Sequence, residues 1–506
     1  MVTSTSFRTP DAAASAPANA PAPQPVAPSV PTRSPLARLR DRLPHRADLP
    51  AWIRLLAAVA VIAGLLAALC ISSGATSLRN GIDVIGHRTE PQVSATEDLS
   101  LAFADMDAQL ANLLLAGGDP TLTAVRDSAL KTYEDRRKQA DADLQQASSI
   151  AGQDEHAKHA VQGVLDQFGT YEGLAAKVIL LDQTEHNPAA QPAPDLLDQY
   201  RQSAALLADQ LLPAAHGLTG DNTAVLQNSY TSTRGAESTA TVLLIACGVV
   251  LLGALIGLQV LLVRTMHRRI NPGLLGATLV SLLLLGGAVL GDHNAVNQLQ
   301  IARYDAFDSL IALDQARAIG YDANADESRY LLDPDKGQLE QQAFLNKSQA
   351  LADLKVSSVG DYDAALTKAL AAYRADHADI RFGGAFGDEM RNITFPGERA
   401  AAEKMLASYQ VYQRDDRTLR ATAKSDPRQA VTYDTDAQPG TSDGDFGTYD
   451  TDLSALIAVN QHAFDTAVTA GSADASRWSS WLPFTGALLI AALVLLGIRP
   501  RLNEYR

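Results

Sequence analysis

The chain is 506 residues long, 46% apolar by composition, and carries a formal net charge of −15. That length allows about three ordinary domains, and no nucleic-acid partner is expected of so acidic a chain. Its two cysteines fall in no metal-ligand spacing and no haem-attachment motif, so no metal or cofactor is expected either.

These averages combine two unlike kinds of segment. Residues 1–50 include "PDAAASAPANAPAPQPVAPSVP" and read as a disordered Pro/Ala-rich tail, with Arg38, Arg40, Arg42 and Arg46 at its basic end. A first transmembrane helix is expected over 51–72, around the uncharged run "LLAAVAVIAGLLAALCI". It is expected to stay in place and not be cleaved as a signal, because about fifty residues precede it and no small-x-small site follows. A long segment, 73–240, then leads to a second span at 241–263, a connector at 264–273 and a third span at 274–291. The order repeats with a long segment at 292–480, a fourth span at 481–498 and a tail at 499–506.

Charge sets the expected orientation. Counting Arg54 with the first tail, that tail, the connector and the last tail hold 13 basic residues against 4 acidic ones, while the two long segments hold 29 basic and 53 acidic. The positive-inside rule therefore predicts a multi-pass plasma-membrane protein with both termini and the connector in the cytoplasm. In the connector, Arg264, His267, Arg268 and Arg269 suit two compatible roles, anchoring at lipid headgroups and contact with a cytoplasmic partner; Asn271-Pro272-Gly273 turns the chain. Cys70 and Cys247 both fall near the outer ends of spans, as packing residues or as a disulfide pair.

The long segments read as helical. Leu99, Phe103, Met106, Leu110 and Leu113 follow spacings of 4, 3, 4, 3, as do residues from Leu197 to Leu218, which is the period of helices packed nearly parallel. Breaks at "GGDP", "SSIAGQD" and "HNPAAQPAP" divide the first segment into four helices. The expected fold is all-α: four transmembrane helices carrying two tandem extracytoplasmic four-helix bundles. Short similarities, such as "ADADL" with "ALADL", support a duplication weakly, and the second copy has a Gly/Phe-rich insertion, "FGGAFGDEMRNITFPG".

A span, an outer helical bundle and a second span resemble the sensory half of bacterial chemoreceptors and histidine kinases. Two such units in tandem, with "HRTEPQVSATEDL" (87–99) and "FADMDAQLANLLLAGG" (103–118), resemble the actinobacterial GlnX-type membrane receptors. The resemblance implies a relay from an extracytoplasmic amino-acid-binding protein to a cytoplasmic serine/threonine kinase, protein kinase G. It brings no catalytic motif, and no enzyme is expected. The cytoplasmic parts are too short to fold as an output domain, so the partners expected are a solute-binding protein outside, a kinase inside and the lipid bilayer. The contrasting reading is an accessory or scaffold subunit of an envelope transport complex.

Two groups of polar residues are singled out in the second segment. Asp314 and Asn460 each interrupt a heptad-like apolar seam, and both would stand roughly 32 Å above the membrane at 1.5 Å per residue. They are read as a buried register pair or a switch site, or, if the seam shifts by one, as a solvated position. Asp333 and Asp335, with Asp434, Asp436, Asp443 and Asp445 in "DTDAQPGTSDGDFGTYDTD", are expected at the far tip. Three readings of this run stay open: a solvated acidic loop, a partner-docking surface and a cation site.

Overall fold

The structure, a computed structural model, describes residues 49–151, 155–266 and 271–503. Leu49–Arg54 open the first helix, ahead of the unit Leu55–Arg506. Among the described residues the regular elements are helices, and the one β contact is an isolated bridge between Asp353 and Gly383.

Four helices are long and apolar enough to cross a membrane. In chain order, α1 is Leu49–Ala116, 68 residues; α2 is Thr123–Ala151 and α3 is Glu155–Glu185. The helix α4 covers Pro194–Arg264, 71 residues, and α5 covers Pro272–Leu332, 61 residues. Beyond it come α6 (Gly337–Leu351), α7 (Val359–Ala375), α8 (Gly384–Asn392), α9 (Glu398–Ser425) and α10 (Pro427–Thr435). Last are α11 (Ser442–Ser479) and α12 (Leu482–Asn503). The Gly/Phe-rich insertion folds as α8 and its flanks, so the second segment holds more than the four helices expected of it.

Local chemistry places the helix starts. Asn271 caps α5 by accepting from Gly273 N and Leu274 N, with Pro272 at the first helical position, where its missing N–H costs nothing. Gly273 is required here for closeness: a Cβ would lie 2.9 Å from Gly497 Cα of α12. The Asn271 amide also donates to Gly497 O at 2.8 Å. Side chains exposed on the spans, such as Val249, Leu283, Leu290 and Leu488, are apolar, as lipid-facing positions must be.

Three of the long helices carry a π turn outside their spans: Ile85–Thr89 in α1, Leu207–Leu211 in α4 and Ile301–Phe307 in α5. The first and third pack at one level, in a core that joins Ile82, Ile85 and Val93 to Ala302, Phe307 and Phe464. The fourth path is different. Ser480 is extended (φ −88°, ψ −155°), so α11 and α12 are separate helices. Ser72 Oγ donates to the Ser479 carbonyl at this break (3.2 Å).

Beyond the spans the two long segments share their cores. One core joins Leu110, Phe168 and Tyr200 of the first segment to Leu331, Leu332, Leu419 and Val431 of the second. As a result α1 is enclosed on all sides, and between Leu99 and Ala116 Gln109 alone keeps partial exposure.

Candidate sensory interface between the two segments

Enclosure of α1 creates an electrostatic problem. Between Arg88 and Arg126 the sequence contains no Lys or Arg, yet it places Glu90, Glu97, Asp98, Asp105 and Asp107 on this helix. Buried carboxylates must be paired or protonated, and the structure uses both solutions.

The pairing cations come from other helices. Arg136 of α2 donates through Nε to Asp105 Oδ2 at 2.6 Å, while Gln109 Nε2 reaches Asp105 Oδ1 at 2.8 Å. Arg329 of α5, buried at the far end, pairs with Asp107 and Asp326, with Asp322 at 3.0 Å and with Glu340 at 3.3 Å. Lys347 of α6 adds contacts of 2.8 Å to both Asp322 and Asp326. Next to this cluster Ser328 Oγ of α5 lies 2.8 Å from Asn112 Oδ1 of α1 and 3.0 Å from Asp434 Oδ2, its one proton shared between the two acceptors.

Nearer the membrane, pairing gives way to protonation. Burial pushes Glu97 up to about 7 although Gln315 Nε2 donates to it at 3.1 Å. Burial, together with the charges of Asp98 and Glu97, pushes Asp314 up to about 8. Just outside the spans, burial and the neighbouring Glu237 push Asp292 up to about 7, and Thr241 Oγ1 lies between them, 3.1 Å from Glu237 and 3.4 Å from Asp292, with one proton to give. Glu97 and Asp314 thus meet between α1 and α5, and Glu237 and Asp292 between α4 and α5.

A cleft opens where α1, α2, α5 and the start of α11 meet. It measures about 610 Å³ and is lined by Asp105, Gln109, Arg136, Tyr321, Asn324 and Asp443, among others. A neighbouring recess of about 260 Å³ shares Gln109, Ala437 and Asp443 with it and adds Asn112 and Asp436. Tyr321 is fixed from both sides: its ring meets Phe446 edge-on at 4.9 Å and lies 5.7 Å from the Arg136 guanidinium carbon, while its hydroxyl donates to Asp450 at 3.1 Å. Asp443 is pushed up to about 7 by burial, with the charges of Asp105 and Asp436 adding to it.

The residues singled out in the sequence divide into several groups. Asp314 and Asn460 are not a pair: Asp314 faces Glu97 and Asp98 of α1, whereas buried Asn460 donates to Glu389 Oε1 at 3.5 Å and to the Leu456 carbonyl. The insertion supplies the Glu389 that takes the place expected for Asp314. Asp333 is not an exposed docking residue, because Arg201 of α4 grips it at 2.8 and 2.9 Å and buries it. Asp434 is buried as well, and Asp335 is exposed. The acidic run is folded, since Asp434 lies in the last turn of α10 and Asp443 and Asp445 occupy the first turn of α11, where the helix dipole favours acids. Asp436 accepts from Gln438 N and Asp445 from Gly440 N, both at 3.1 Å. In the connector Arg264 is exposed; His267, Arg268 and Arg269 lie outside the described residues.

Asn112, Arg136 and Asn324 were not singled out from sequence. The signal that could have found them is the acid run of α1 without a basic residue, since such a run requires cations from elsewhere in the chain.

The family model of the actinobacterial sensor domain matches residues 81–231, which start beyond the first span and run through α2 and α3 into α4. No curated protein and no solved structure matches the chain. With four helices long and apolar enough to cross a bilayer, this is a multi-pass membrane protein whose residues 81–231 are similar to the actinobacterial sensor domain.

Proposed function

We propose that the chain is a plasma-membrane signal transducer with cytoplasmic termini. It relays the state of an extracytoplasmic amino-acid-binding protein to a cytoplasmic serine/threonine kinase and performs no catalytic step of its own. The observation that supports this most is helical continuity: α1, α4 and α5 run without a loop from the interface described above into a span. A small piston or rotation in one of them is not absorbed on the way and reaches the connector that carries Arg264. The binding protein must favour one packing of the two segments over the other for the shift to occur.

In-membrane crosslinking of the tagged chain in its host, followed by identification of what copurifies, tests the relay. Recovery of a solute-binding protein together with a serine/threonine kinase is the expected result. Recovery of an ATPase and a permease without a kinase would replace the relay with an accessory role in transport.

A further inference from the structure

Most charges in the cleft are already paired. Asp105 is held by Arg136 and Asp452 by Lys404 at 2.8 Å. Three polar groups remain. Asn324 is 5% exposed and lines the cleft, and its side-chain amide makes no hydrogen bond. Asn112, also 5% exposed, lines the adjoining recess; its oxygen accepts from Ser328 while its NH2 has no partner. Asp443, common to both spaces, makes no hydrogen bond and no ion pair.

Buried amides are nearly always hydrogen-bonded in folded proteins, and here one from α5 opens into the cleft and one from α1 into the adjoining recess. The groups without an ion pair that face the two spaces are carboxyls, Asp443 in both and Asp436 in the recess, and a bound cation would hold Asp443 in its charged form. We propose that the cleft binds a small organic ammonium compound, whose N–H groups donate to Asp443 and whose second polar group is met by the amides of Asn324 and Asn112.

Other ligand classes fit less well. An anion would face Asp443, while Arg136 and Lys404 are committed to Asp105 and Asp452. A neutral polyol would leave the carboxylate uncompensated. A metal ion lacks ligands, since no three His, Cys, Asp or Glu among the described residues come together to hold one. The volume is in the range of small-molecule sites, about 300–1,000 Å³. A ligand there would touch α1, α5 and α11 together, so occupancy would favour one arrangement of these three helices.

The inference rests on the reading of the chain as a sensor and gives that sensor a ligand of its own. It is tested on the purified full-length chain in lipid nanodiscs by calorimetric titration with ethanolamine and glycinamide, whose second polar group can accept, against ethylene glycol and acetate as uncharged and anionic controls. The ammonium probes are expected to bind saturably and the controls not at all. Asp443→Asn and Asn324→Ala should each weaken binding tenfold or more while the melting temperature without ligand stays close to that of the parent. Should Asp443→Asn fail to fold, Asn324→Ser with the same probes decides. Absence of saturable ammonium binding, equal binding of ethylene glycol, or unchanged affinity in the variants would overturn the site. Because no partner protein is present, this result is separable from the copurification experiment: either can fail while the other succeeds.

Discussion

At the scale of single residues, the protein keeps carboxylates between packed helices. Asp314, pushed up to about 8, and Glu97, pushed up to about 7, hold protons in the folded state that the unfolded chain has released by about pH 5. The native state thus binds more protons than the unfolded one between roughly pH 4 and pH 8, and stability falls as pH rises through that window. Asp314→Asn removes one such group. It is expected to raise the melting temperature by about 2–4 °C at pH 8 and by clearly less at pH 5, near the lower end of that window. An equal shift at both values would show that titration is not the cause. Arg329 presents the opposite case, a buried cation on which Asp107 and Asp326 depend. Arg329→Leu should cost about 3–5 kcal/mol by leaving acids buried without a partner. Its loss would appear as a lower melting temperature in detergent; a variant as stable as the parent would mean the cluster is hydrated.

At the scale of elements, small residues close the helices together near the membrane. A Cβ on Gly291 would lie 2.1 Å from the Trp478 ring nitrogen, whereas one on Gly286 would meet nothing within 4 Å. Gly291→Ala is therefore expected to destabilise by about 1–3 kcal/mol, and Gly286→Ala to have little effect, when both are melted in the same detergent. Cys70 and Cys247, free thiols on α1 and α4, lie next to each other. Mild oxidation should join them, removing two maleimide sites per chain; if both stay reactive, the helices are not in this register. The four spans were legible in the sequence, because length and lack of charge suffice to define them. The seam of α1 through Leu99, Phe103 and Met106 was legible too. The role of its opposite face was not: a polar face reads as solvated unless the covering helix is known, and α5 lies more than two hundred residues further on, as the Ser328–Asn112 separation of 216 shows. The acidic run at 434–452 misled for a related reason, since acids in a helix's first turn look the same in sequence as acids in a loop.

At the scale of the whole molecule, the two segments are fastened together along their length, which an expectation of two separate bundles does not contain. Arg201 and Asp333 join them at one level, and Arg428 and Asp119 at another (2.6 Å). A charge exchange tests the first bond: Arg201→Asp alone should lower the melting temperature, and adding Asp333→Arg should recover much of the loss. Additive losses instead would mean that the two residues do not meet in the membrane-embedded protein. The break at Ser480–Trp481 makes the four paths to the membrane mechanically unequal. An unbroken helix carries both thrust and torque, and α1, α4 and α5 are unbroken. A helix jointed just before its span carries thrust but loses torque at the joint, so a twist of α11 would turn its upper part and leave α12 at rest. Three legs of this molecule can therefore act as drive shafts, and the fourth as a push rod.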